Sequence, residues 1–161
     1  SVLVAGSARA HIADFTFNGN NIITAVKLQR TGVSNNSVFN NVYLYDGANR
    51  VADGVSVSTD GTINWNYTGG LFQVSGSKVI SVYADVASGT SGSTAGVALL
   101  GYTAQGSSSP VVLSPAIAGP VLSIGSVNLA NVSFQGSAVT GGGINTVSQS
   151  TVTAGTPGVK V

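Results

Sequence analysis

Apolar and polar residues alternate with a period of two over most of the first hundred positions, the pattern of strands buried on one face. Across residues 11–17, Ala13, Phe15 and Phe17 share one face, and Ile12, Asp14 and Thr16 the other. The run Asn18-Gly19-Asn20-Asn21 then predicts a turn, because Asn and Gly enter positive φ at little cost. Residues 22–30 follow, with Val26, Leu28 and Arg30 opposed to Ala25, Lys27 and Gln29. Residues 41–46 place Val42 and Leu44 inward and Tyr43 and Tyr45 on the other face. Residues 51–58, 62–67 and 71–74 predict further short strands. The clearest alternation is 78–86, where Ile80, Val82, Ala84 and Val86 alternate with Ser81, Tyr83 and Asp85. Residues 96–104 complete about eight strands at roughly 8–12-residue spacing, which predicts an all-β fold of two antiparallel sheets. The expected core of residues 8–104 includes Phe15, Phe17, Val26, Leu28, Leu44, Trp65, Ile80, Val82 and Leu99.

The pattern weakens after Ala104. Residues 105–120 are rich in Ser and hold three of the four prolines, which predicts a hinge. Residues 121–161 hold two alternating runs, a glycine cluster at 141–143 and one aromatic, Phe134, against ten before it. So thin an aromatic supply predicts a β-rich extension and no full second core. The expected organisation is an N-terminal arm (1–10), a β-sandwich (11–104), a hinge (105–120) and a C-terminal β extension (121–161).

Composition narrows the function. Gly, Ser, Val, Ala and Thr fill 99 of the 161 positions, only 7% are charged, and Glu, Met and Cys are absent. Six scattered cations make no phosphate-matching stripe, so a nucleic-acid partner is not expected. Scarce helix formers exclude a helical bundle, and 43% apolar residues suffice for a core. Without Cys there is no disulfide, thiol nucleophile or thiolate metal site. The longest apolar runs are about four residues, far short of a membrane helix. The first residues lack a basic region and a long apolar run, so they suit the mature end left by a cleaved leader better than an intact one. A surface this poor in charge suits subunits that pack against copies of themselves.

Few residues point to chemistry. Asp46-Gly47, Asp53-Gly54 and Asp60-Gly61 recur at seven-residue intervals; this is hairpin-turn chemistry, with Asp46 and Asp60 as candidate calcium ligands. His11 is the sole histidine and has no nucleophile elbow to serve, so no catalytic residue, enzyme activity or cofactor is expected. Lys27 and Lys78, with Asp85 as the acid, are candidates for a Lys–Asn amide staple, against the simpler reading of strand-edge lysines. Asn35, Asn66 and Asn131 each begin an N-glycosylation sequon. Tyr43, Tyr45, Trp65, Tyr67 and Tyr83 could form a glycan-stacking face or, alternatively, seal the core.

One internal similarity stands out. Leu3-Val4-Ala5-Gly6-Ser7-Ala8 and Val152-Thr153-Ala154-Gly155-Thr156-Pro157 lie 149 residues apart, and each runs on to a basic and a β-branched residue, His11-Ile12 and Lys160-Val161. That recurrence suggests tandem modules.

The stretches Ile23-Thr24-Ala25-Val26-Lys27-Leu28-Gln29-Arg30-Thr31-Gly32, Asn41-Val42-Tyr43-Leu44-Tyr45-Asp46-Gly47 and Lys78-Val79-Ile80-Ser81-Val82-Tyr83-Ala84-Asp85-Val86 resemble the immunoglobulin-like modules repeated in bacterial surface-layer-type proteins. The resemblance covers about residues 10–104 and implies an exported, extracellular or cell-surface, immunoglobulin-like β-sandwich that works by assembly. The expected function is a structural subunit of a homopolymer, a pilus-like filament or a surface layer, joined by donor-strand exchange. Its expected subunit contacts are Val2 and Val4, or Leu122, Ile124, Val127 and Leu129. A carbohydrate-binding or adhesive module is the alternative.

Overall fold

The computed structural model describes residues 2–126. They contain nine strands: β1 (Val2–Val4), β2 (Ala10–Thr31), β3 (Phe39–Asp46), β4 (Asn49–Val55), β5 (Thr62–Asn66), β6 (Phe72–Val86), β7 (Thr94–Ala104), β8 (Val111–Ala118) and β9 (Leu122–Gly125). One 3-10 turn, Asn36–Val38, precedes β3. No helix among them is long and apolar enough to cross a membrane.

The described residues are all-β, but their strands join one nine-stranded sheet that curls into a half-barrel, where two separate sheets were expected. The cause lies in β2 and β6. Asn18-Gly19-Asn20-Asn21 makes no turn: β2 runs unbroken for 22 residues. The expected strands 71–74 and 78–86 likewise merge through Ser75-Gly76-Ser77 into the 15 residues of β6. The two turn-prone segments pair with each other, Asn18 opposite Ser77, Gly19 opposite Gly76 and Asn20 opposite Ser75. Gly19 (φ +133°) and Gly76 (φ +82°) let this exposed ribbon bend while its ladder continues. The N-terminal half of β2 therefore pairs with β6, and its C-terminal half lies between β5 and β7.

All nine side chains expected in the core are buried. Phe17 packs edge-on against Phe72 and Tyr102, with ring centroids 5.1 and 5.6 Å apart. Ile12 departs from the expected alternation. The β2–β6 register shifts between His11 and Ala13, and this bulge turns both Ile12 and Ala13 inward, at 1% and 2% exposure. Asp53-Gly54 is also no turn. It lies inside β4, where three steps from Ala52 to Val55 face two on β3. Residues 105–120, expected as a hinge, carry β8, which pairs with β7.

Candidate functional site

Both terminal strands of the described fold meet at one seam. β1 pairs in parallel with β9 through Val2–Ser123, Leu3–Ile124 and Val4–Gly125, and β9 pairs with the start of β7. The turn after β1 then reaches the end of β6: the Gly6 N–H donates to the Val86 carbonyl at 3.0 Å, and the Val86 N–H to the Ser7 carbonyl at 2.8 Å. β1 and its turn thus connect β9, at one edge of the sheet, with the C-terminal end of β6 in its middle.

Side-chain parity at the seam differs from expectation. With a period of two, Val2 and Val4 share a face, and it is the outer one. Val2 is 67% exposed and Val4 half-buried, while Leu3 between them enters the core at 4%. Leu122 and Ile124 are buried as expected of core-filling residues, but here they fill the core of their own chain. Val127 and Leu129 lie outside the described residues.

β8 docks next to this seam on the same edge of β7, along a path cut by glycines. A Cβ at Gly101 would strike the Val111 carbonyl oxygen, and one at Gly96 the Pro120 carbonyl oxygen. A Cβ at Gly119 would also crowd the Val97 carbonyl oxygen and the Ala13 side chain, and the Gly119 N–H donates to Val97 O at 2.9 Å. Val111, Val112 and Ile117 of β8 remain exposed. Lys27, Asn64, Asn66, Tyr102 and Val112 line a groove of about 420 Å³ beside it.

The outer face of β2, β6 and β3 carries the second feature. Pairing aligns His11, Tyr83 and Tyr43 in one row and Asp14, Ser81 and Tyr45 in the next. The Tyr83 ring lies 5.3 Å from His11 and 4.9 Å from Tyr45, tilted to both. Two cations approach the Tyr43 ring, with the Arg9 and Arg50 guanidiniums 5.0 and 5.8 Å from its centroid. Its hydroxyl donates to Asp85 Oδ2 at 2.6 Å, and Asp85 Oδ1 accepts the Arg9 N–H at 2.9 Å. Arg9 adopts φ +50°, a left-handed conformation that this hydrogen bond helps to hold. Partial burial pushes the Asp85 carboxyl up, but hydrogen bonds from Tyr43, Arg9 and Asn41 outweigh it and leave its pKa lowered. The bond to Asp85, followed by burial, raises the Tyr43 pKa.

His11 Nε2 lies 2.8 Å from Asp14 Oδ1, and the Ser81 hydroxyl donates to the same oxygen at 2.6 Å. Ser81, then His11, lowers the Asp14 pKa. The carboxylate stands between the serine and the histidine, so this histidine is not placed to take the hydroxyl proton.

The remaining expected residues are dispersed. Asp46 pairs with Lys78 at 2.8 Å, while Asp60 Oδ1 accepts from the Thr62 hydroxyl and N–H at 2.6 and 3.0 Å as a turn cap. Among the described residues no three His, Cys, Asp or Glu cluster as a metal site. Asn35 and Asn66 are exposed, and Asn131 lies outside the described residues. Trp65 does not join the tyrosine face: it is buried and donates Nε1–H to the Asp53 carbonyl at 2.9 Å. The Tyr67 hydroxyl instead accepts the Asp53 N–H at 3.0 Å.

Sequence reasoning missed Leu3 and the Arg9–Tyr43–Asp85 network. Leu3 was legible from parity once a neighbouring strand was known, whereas the network depends on a register between strands far apart in the chain. Comparison with protein families, with curated proteins and with solved structures finds no match to this chain.

Proposed function

We propose that this chain is a structural subunit of an extracellular polymer, a filament or a surface layer, that assembles by β-strand addition between copies. In this reading the half-barrel is a variant of the immunoglobulin-like sandwich of surface-layer-type proteins, located at the cell surface and without a catalytic role. The observation that carries the reading is β1. It is three residues long, ends the sheet, pairs in parallel with one neighbour and buries one side chain, Leu3.

Burying Leu3 is worth about 1.5–3 kcal/mol. Three parallel ladder pairs add roughly 1 kcal/mol per net hydrogen bond, and parallel pairing is the weaker kind. A strand held this lightly at a seam can leave and be replaced by an equivalent strand from another copy. Such a contact is heterologous, so it grows into a chain and does not close as a dimer. Low charge and a surface of Ser, Thr, Asn and Gly support close packing of the copies.

Electron microscopy of the purified chain without any ligand tests this. Ordered assemblies are expected; a monomer at every concentration overturns the reading. A second reading, a glycan-binding or adhesive module, draws on the aligned Tyr43, Tyr45 and Tyr83. Glycan binding by the isolated monomer, lost in Tyr45→Ala and Tyr83→Ala, would favour it.

A further inference from the structure

The groove beside β8 lies on the outer face of β5, β2, β7 and β8, and strand register explains its shape. On β2, Val26 and Leu28 enter the core, so Ala25 and Lys27 point outward. Lys27 stands opposite Asn64 on one side and Gly101 on the other, and Gly101 in turn stands opposite Val112. Ala25 stands likewise between Asn66 and Thr103. Residues directly opposite one another share a face, so two rows of side chains cross the groove. Ala25 and Gly101 keep its floor low. The β8 backbone rises over Gly101 as one wall, with the Val111 carbonyl where a Cβ would stand.

The chemistry of the lining is divided. At the β8 end, Val111 and Val112 are 40% and 77% exposed and make an apolar wall. At the β5 end, Asn64 and Asn66 present exposed side-chain amides. Asn64 donates to the Thr62 hydroxyl at 3.2 Å and keeps a second N–H and its carbonyl oxygen. Lys27 carries the one charge among the described lining residues and forms no ion pair with any of them. The five aspartates of the chain are engaged elsewhere: Asp14 by His11, Asp46 by Lys78, Asp53 by Arg50, Asp60 by Thr62 and Asp85 by Tyr43. Asp60 reaches Lys27 only through its field. The groove therefore offers an uncompensated ammonium beside neutral hydrogen-bonding groups.

We infer that this groove binds an acidic sugar, a hexuronate, with its carboxylate on Lys27, its hydroxyls on Asn64, Asn66 and Thr103, and the C–H face of its ring against Val111 and Val112. A single lysine is a point charge suited to a monoanion, whereas a phosphate dianion calls for more than one cation or an arginine fork. An acid without hydroxyls would strip water from the two amides and leave them unpaired, at a cost that a hydroxyl-bearing ligand avoids. The volume of about 420 Å³ lies within the range of small-molecule sites. The site is separate from the row of Tyr43, Tyr45 and Tyr83 and needs no second copy, so it stands or falls independently of both readings of the whole chain.

NMR titration of the isotope-labelled full-length chain at constant ionic strength tests this, with galacturonate, its uncharged counterpart galactose and acetyl-trialanine, a peptide carboxylate, as probes. Galacturonate should shift the amides of residues 25–27, 64–66 and 101–103. Galactose and the peptide should bind about tenfold more weakly or worse, each lacking one half of the recognition. Lys27→Gln, an exposed substitution whose spectrum reports an intact fold, should weaken galacturonate about tenfold or more, the loss of one charge-assisted hydrogen bond. Tyr45→Ala and Tyr83→Ala should leave it unchanged. No shifts up to about 50 mM galacturonate, far above a millimolar dissociation constant, overturn the inference. So does binding indifferent to Lys27→Gln, or equal binding of galactose or of the peptide. Galacturonate binding lost in the tyrosine variants and kept in Lys27→Gln overturns this site and places glycan recognition on the tyrosine row.

Discussion

Tyr43 on β3 and Asp85 on β6 are joined by a 2.6 Å hydrogen bond in which the phenol donates to a carboxylate that also receives the Arg9 backbone N–H. The bond ties the strained residue leading into β2 to the two strands beside it. It also links stability to pH from both sides. Asp85 and Asp14 have lowered pKa values in the fold, so their contribution is present above the ordinary carboxylate pKa of about 4 and is lost as pH falls through the folded values. The Tyr43 pKa is raised, so its contribution is present below about pH 10 and is lost as pH rises through the folded value. Urea unfolding followed by Trp65 fluorescence should show both limbs. Tyr43→Phe should cost about 1–2 kcal/mol near neutrality and remove the alkaline limb; an unchanged alkaline limb would refute the assignment.

At the seam, parity decides which residue matters. Leu3→Ala should cost about 2–4 kcal/mol, through lost burial and the cavity left behind. Val2→Ala, at a side chain 67% exposed, should stay within about 0.5 kcal/mol. Chemical unfolding of both variants checks this, and equal costs would place β1 in the opposite orientation.

Gly101 separates crowding from backbone strain. Its φ is not positive, yet an added Cβ would meet the Val111 carbonyl. Gly101→Ala should therefore loosen β8 at a cost of about 1–3 kcal/mol, seen as faster proteolytic cleavage within 105–118. Gly76 presents the reverse case, with open space around it but φ +82°. Gly76→Ala should cost about 1 kcal/mol or more through conformation alone, with no gain in protease sensitivity at β8.

The Lys78–Asp46 pair, at 2.8 Å, looks strong but is partly solvated, with side chains 28% and 37% exposed. Lys78→Ala should change stability by no more than about 1 kcal/mol, and less at high salt. An intact mass showing no loss of ammonia is also expected, because Lys78 faces a carboxylate and not an asparagine amide.

Much of the fold was legible before any coordinates. Alternation over β6, and of Val42 and Leu44 in β3, identified the buried faces, because a strand with one face in the core imposes a two-residue period. Turn propensity then misled at Asn18-Gly19-Asn20-Asn21 and Ser75-Gly76-Ser77. Asn, Gly and Ser lower the cost of a bend, but whether the chain reverses there depends on what lies opposite. Here each segment found the other, and the expected breaks became one long ladder. That outcome made a continuous curled sheet from a pattern that equally suits two separate ones. The seam follows the same logic: the apolar character of Val2, Leu3 and Val4 is local, while the choice of Leu3 as the buried one comes from the parallel register with β9. The sequence by itself determined strand content, the core residues and the poverty of charge, because burial periodicity and composition are properties of short segments. Only the tertiary structure decided the register, the Arg9–Tyr43–Asp85 network and the meeting of the two terminal strands, because each depends on pairing between residues more than 30 positions apart.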